Sequence, residues 1–192
     1  LDAELISILA VRPDLEVVAI ADGAEENWRY FDRPLYASAT RIVDHGHACD
    51  HLREAMTAYY GAKSVEGRAE YARLRIILRD QTDGVDHVIT ALGRLARKLS
   101  GSRRKARRKR LQSELTYFQN QRDRMDYAGY QTRGLPIGSG LVEAACKTLA
   151  TQRLKRSGMS WRDGKQAMLT IRSLQQSQRW AAAWELWSAH FR

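Results

Sequence analysis

The chain has 192 residues and a formal net charge of +10, with 28% charged and 44% hydrophobic residues. That length allows one real core with an appended subdomain, and the charge asks for a polyanionic partner, whether membrane surface, RNA or DNA. No run of residues is long and apolar enough to span a bilayer and none reads as a signal peptide, so a soluble, cytoplasmic protein is expected.

The chain begins at Leu1 without an initiator Met, and its amphipathic opening reads as part of a longer protein. Residues 2–11 predict a short helix ended by Arg12-Pro13-Asp14. Leu15 to Ala21 is a β-branched apolar run of strand length, stopped by Asp22-Gly23. A nearly continuous apolar strand implies cover on both faces, as in a parallel α/β sheet, and Asp22 stands at its carboxyl end, where such sheets place their ligands. Glu25 to Tyr30 suits a turn or two of helix, and Ala39 to Val43 is a second strand that also ends on an aspartate, Asp44. One aspartate after a strand is usually a cap or turn former. Two in succession bring carboxylates to one edge, so the capping and the site readings both stand.

His45 opens a helix that runs to Tyr60-Gly61, and Asp44, His47 and His51 share one face of it at helical spacing. Zinc ligands adopt such spacings. Ala48, however, stands where a His-Glu-x-x-His protease needs its acid, and a histidine that holds the strand–helix junction by hydrogen bonding is the simpler reading. Cys49 and Cys146 lie far apart, neither has a Cys-x-x-Cys partner, and both fit a reducing compartment.

From Leu52 to about Asp126 the pattern is helical, with breaks near Gly61 to Gly67, at Asp83-Gly84 and at Ser100-Gly101-Ser102. Val85, Val88, Ile89, Leu92, Leu95, Ala96 and Leu99 form a one-sided stripe; Leu74, Ile77 and Leu78 mark the helix before it, and Leu111, Leu115, Phe118 and Met125 the helix after it. After the third break comes the most basic run of the chain: Arg103, Arg104, Lys105, Arg107, Arg108, Lys109 and Arg110. Like charges at this density repel one another unless an anion neutralises them, which points to nucleic acid; the plainer reading is a solvated helix end.

In the stretch 135–155, Pro136, Gly138 and Gly140 turn the backbone, and Ser139 can cap a helix that starts at about Leu141. The apolar face of that helix is Val142, Ala145, Cys146 and Leu149, with Glu143 and Lys147 on a neighbouring face as an i,i+4 pair. Arg153, Lys155 and Arg156 form a second basic cluster, and Trp161 could stack on a base or close the core. Residues 166–176 and 180–191 read as terminal helices, with Trp180, Trp184 and Trp187 as a packing stripe. The class expected is mostly α with a small α/β part.

Three stretches, VVAIADGAEENW, ATRIVDHGHACDHL and LPIGSGLVEAACKTLATQRLKRSGMSW, resemble the C-terminal catalytic half of bacterial insertion-sequence transposases of the ISKra type, relatives of the Mutator-like group. The similarity covers most of the chain and is strongest in the third stretch. It implies a partial RNase H-like core, made of the last two strands plus helices and interrupted by an α-helical insertion: core strands in 1–50, the insertion in 51–130, and a return to the core in 131–192. In that family an Asp-Asp-Glu triad binds two divalent metals, Mg²⁺ or Mn²⁺. By the resemblance Asp22 matches the second aspartate of the triad and Glu143 the final glutamate, both metal ligands; Asp44 and His47 match the Asp/Cys-x-x-His signature. The first aspartate is expected upstream of Leu1, leaving this chain inert by itself. His45, Gly46 and Asp50 depart from the residues usual at their places. DNA, as transposon ends and target, is the implied partner, contacted by the basic run with Lys147, Arg153, Lys155, Arg156 and Trp161; a homodimer is plausible for the parent protein, near the bacterial nucleoid. The alternatives are a non-catalytic basic DNA-binding remnant and a zinc-stabilised helical module built on Asp44, His47 and His51.

Overall fold

The computed structural model describes residues 2–99, 104–140, 144, 147 and 164–190. The fold is mostly helical with a small parallel sheet, two-stranded among the described residues. Helix α1 (Asp2–Val11) precedes strand β1 (Val18–Ala21), and α2 (Glu25–Phe31) with a short 3-10 turn at Pro34–Tyr36 leads to β2 (Thr40–Val43). Four helices come next, α3 (His45–Tyr60), α4 (Val65–Asp80), α5 (Gly84–Lys98) and α6 (Lys105–Gln121), and then the short α7 (Tyr127–Thr132). The chain divides into two compact units, 1–139 and 140–192.

Parallel strands cannot be joined by a tight turn, and α2 supplies the crossover between β1 and β2. The register runs from Val18 opposite Thr40 to Ala21 opposite Val43, and the Asp44 N–H adds one more rung by donating to the Ala21 carbonyl at 2.7 Å. The two strands are unequally covered. Ile42 and Val43 of β2 are fully buried, whereas only Ala19 of β1 is, so the expected cover on both faces is realised at β2 and only in part at β1. With β2 beside it and no further strand on its other side among the described residues, β1 lies at an edge.

The core of the first unit runs without interruption from the sheet into the helices: Ile42 and Val43 join Leu52 and Met56 of α3, Leu74 and Leu78 of α4, Val88 and Leu92 of α5, and Leu111 and Phe118 of α6 in one apolar cluster. Each such side chain contributes on the order of 1.5–3 kcal/mol by leaving water. The α5 stripe faces inward as its periodicity predicts, with Ile89 packed at its margin. Ser64 caps α4 by accepting the Gly67 N–H at 3.0 Å. At Gly84 a Cβ would come within 2.3 Å of the Ile77 carbonyl oxygen, so the break between α4 and α5 admits only glycine.

α1 buries none of its residues and is tied down by one carboxylate. Asp2 accepts from the Tyr30 and Tyr36 hydroxyls at 2.6 and 2.7 Å and pairs with Arg33 at 2.7 Å, contacts that hold its carboxyl far below the usual range.

The second unit contains a helical hairpin, α8 (Lys165–Gln176) and α9 (Trp180–His190), whose turn is closed by the Arg179 N–H on the Leu174 carbonyl at 2.8 Å. Trp180 stacks on Trp184 with centroids 6.1 Å apart, and Trp184 meets Trp187 edge-on at 6.4 Å. The expected stripe thus packs ring against ring, while all three indoles stay exposed. Among the described residues no helix is long and apolar enough to cross a membrane.

Candidate active site

The carboxyl edge of the sheet is built from three pieces of chain: the β1–α2 turn, the β2–α3 junction and the stretch Leu135–Ser139. Asp22 is the first residue after β1. Its Oδ1 accepts the Ala24 N–H at 2.9 Å and the Asn27 side-chain amide at 2.8 Å. The Ala24 bond, with Asn27 and the nearby His47, outweighs partial burial and draws the carboxyl below its ordinary value, so Asp22 is ionised at neutral pH. It is half-buried, at the rim of the edge.

Asp44 comes directly after β2 and is used differently. Its Oδ1 accepts the His47 N–H at 3.0 Å, which makes it the N-cap of α3, and its Oδ2 accepts the backbone N–H of Ser139. Burial raises the Asp44 carboxyl, but the donors from Ser139, His47 and Gly46 more than offset this and leave it lowered. Only 3% of Asp44 is exposed. The Asp-x-x-His spacing is therefore that of an N-cap to the third residue of its helix. The contact runs through the backbone of His47, whose side chain is exposed.

The third piece is anchored at both ends. The Leu135 N–H donates to the Tyr130 carbonyl at 2.9 Å, and the Ile137 carbonyl accepts the His45 N–H at 2.9 Å. Leu135–Ser139 is thereby fastened to the start of α3. Glu143, Arg103, Arg153, Lys155, Arg156 and Trp161 lie outside the described residues. Lys147, which is described, is exposed.

Sequence reasoning missed the residues that hold the Asp22 turn from below. The Tyr117 hydroxyl donates to the Asp22 carbonyl at 3.2 Å, and the Gln121 side-chain amide donates to the Gly23 carbonyl at 3.0 Å. Gly23 has φ +92°, and a Cβ there would stand 2.9 Å from Tyr117 Cε2. Tyr117 stacks on His51 at 3.6 Å, and His51 Nδ1 lies 2.7 Å from Glu114 Oε2. Arg110 Nε pairs with the other oxygen of Glu114 at 2.9 Å, and Glu114 is 3% exposed. Burial, with the negative charges of Asp22, Asp44 and Glu114, pushes the Tyr117 phenol far up, so it remains a donor. The available signal was Glu114 itself, an acid set among Leu111, Leu115 and Phe118 on the apolar face of α6.

Among the described residues no group of three or more His, Cys, Asp or Glu side chains is placed to hold a metal ion. Of the three zinc candidates, Asp44 is engaged by backbone donors and His51 by Glu114 and Tyr117. Cys49 is free and buried, and burial pushes its thiol up to about 11, which leaves it unreactive.

The described part of the basic run divides in two. Arg107 donates to the Ala58 carbonyl at 2.8 Å and also to that of Tyr59, capping the carboxyl end of α3, and Arg110 reaches Glu54 at 3.3 Å as well as Glu114. Arg104, Lys105, Arg108 and Lys109 are exposed and form no ion pair among the described residues. The first turn of α6 holds no acid, so these cations face the positive end of the helix dipole. No protein-family model, curated protein or solved structure matches the chain.

Proposed function

We propose that this chain is the C-terminal catalytic part of a DNA transposase that cleaves and joins DNA strands with divalent metal, its sheet and flanking helices being a partial RNase H-like core interrupted by the helical segment. The observation that carries the reading is the register of the sheet. β1 and β2 run parallel with Ala21 opposite Val43, so the next residues, Asp22 and Asp44, leave the sheet at one carboxyl edge. The order along the chain, Asp22, then Asp44 and His47, then a helical segment, then Glu143, agrees with the transposase resemblance.

The two aspartates differ in fitness for a metal. Asp22 suits a hard cation: it is ionised and half-buried, and its bonds from Ala24 and Asn27 both fall on Oδ1. Asp44 has both oxygens committed to backbone N–H groups and acts as a positioning residue. Asp22 and Glu143, with the first aspartate of the triad, would hold Mg²⁺ or Mn²⁺, which would supply an activated water or 3′-hydroxyl and stabilisation of the leaving oxygen. The chain's own work is to orient and hold. Ala24 and Asn27 fix the Asp22 carboxylate, Tyr117 and Gln121 fix the main chain beneath it, and Asp44 fastens the stretch on the amino-terminal side of Glu143.

The reading predicts that the present chain does not nick DNA by itself and that a protein extended to supply the first aspartate nicks supercoiled DNA in Mg²⁺. Loss of nicking in D22N and E143Q of the extended protein supports the reading; Mg²⁺-dependent nicking by the present chain, abolished by E143Q, contradicts its inertness. A second reading, a non-catalytic DNA-binding remnant, is favoured by the exposed cations Arg104, Lys105, Arg108 and Lys109, which need no metal to meet DNA. It predicts DNA binding that weakens steeply with salt and ignores Mg²⁺ in every context.

A further inference from the structure

The cations at the start of α6 divide into those bonded to α3 and those that form no ion pair among the described residues. Arg107, Arg110, Leu111 and Glu114 lie at i, i+3, i+4 and i+7, and this side packs on α3. Arg104 at the N-cap of α6 and Lys105, Arg108 and Lys109 in its first turns are all exposed and form no ion pair among the described residues. The only acid in Lys105–Gln121 is Glu114, which is buried, so no carboxylate of α6 neutralises this surface. α5 precedes α6 in the chain and packs against it, and Arg97 and Lys98 in its last turn are exposed as well.

The chemistry of this surface selects among polyanions. An anionic membrane is engaged by a helix that also inserts its apolar face, and here Leu111, Leu115 and Phe118 are spent on the core. Single-stranded nucleic acid is engaged by exposed aromatic platforms, and the first half of α6, Lys105 to Gln112, has no aromatic residue. What remains is a rigid, aromatic-free row of cations, which matches the phosphates of a duplex. The same helix grips the Asp22–Gly23 turn through Tyr117. At 1.5 Å of rise per residue Tyr117 lies about 18 Å beyond Lys105 along α6. That is about five steps of a DNA strand at 3.4 Å each.

We propose that Arg104, Lys105, Arg108 and Lys109 form a sequence-independent binding surface for the phosphate backbone of double-stranded DNA, to which the exposed Arg97 and Lys98 of α5 add charge, whereas Arg107 and Arg110 of the same basic run serve the fold. The proposal deepens the DNA-handling reading above and rests on it. It is tested by fluorescence anisotropy of a labelled duplex across a KCl series, with the present chain, the quadruple variant R104Q/K105Q/R108Q/K109Q, and R107Q and R110Q separately, each checked by circular dichroism and thermal melting. Each lost phosphate contact removes about 0.9 from the slope of log K against log salt, so the quadruple variant is expected to lower the slope by about 3 to 4. R107Q and R110Q are expected to melt earlier with the slope unchanged; if R107Q does not fold, R110Q alone carries this arm. A parent slope that survives the quadruple substitution, or falls as far in R110Q, overturns the division of the run. A parent chain that binds no duplex at any salt overturns the DNA-handling reading itself.

Discussion

The side chain of Asp44 accepts the backbone N–H of Ser139, a residue distant in the chain, while its other oxygen caps α3 through His47. One buried carboxylate therefore joins the second strand, the helix after it and the stretch that leads toward Glu143. Asp44→Ala removes the cap, about 1 kcal/mol, and takes the acceptor from the half-buried Ser139 N–H, about 1 kcal/mol more, so a total loss of about 2 kcal/mol is expected in urea denaturation. Asp44→Asn keeps one acceptor and is expected to cost less.

Acid should weaken this junction in a defined direction. The folded-state carboxyls of Asp44 and Asp22 are both lowered, so their contribution to stability is complete above the ordinary aspartate value of about 4 and is lost as pH falls through the lower folded values. Stability measured from neutral pH downward should decline below about pH 4–5, and Asp44→Ala should flatten that decline. An unchanged acid limb would assign it to other carboxylates.

The Asp22 turn depends on Gly23 and Tyr117. Gly23→Ala must adopt φ +92° and displace the Tyr117 ring, at an expected cost of about 1–3 kcal/mol. Tyr117→Phe keeps the ring and loses one hydrogen bond, about 1 kcal/mol. Thermal melts of the two single variants and the double variant should show coupling, because both changes act on one turn.

Glu114 supports that turn at one remove. Glu114→Ala leaves His51 without its carboxylate partner and Arg110 with Glu54 alone, and because Arg110 is largely exposed the expected loss is about 1–3 kcal/mol. Faster amide hydrogen exchange at Gly23 and Ala24 in this variant would show that the effect travels through Tyr117.

The helices were legible in the sequence wherever periodicity and punctuation agreed. The α5 stripe from Val85 to Leu99, the breaks at Gly61 and Gly84 and the run of α3 to Tyr60 all arise from local rules. β2 and Asp44 were legible as a strand and its terminal aspartate, but not which of two roles Asp44 takes, because its second partner is Ser139, far along the chain. Tyr117 and Gln121 beneath Asp22, and Arg107 on the end of α3, were illegible for the same reason. A basic run read by composition is uniform; the packing of α6 on α3 gives Arg107 and Arg110 partners that their neighbours in the run do not have among the described residues.

We propose that Asp22, and not Asp44, offers its carboxylate to a divalent cation. Titration of Mn²⁺ into the isotopically labelled chain, monitored by amide line broadening, tests it most directly, since weak binding is enough to be seen. Broadening centred on Gly23, Ala24 and Asn27, abolished by Asp22→Asn and retained in a folded Asp44→Asn, is the predicted result. Broadening that persists in Asp22→Asn, or that centres elsewhere in the chain, would contradict the account.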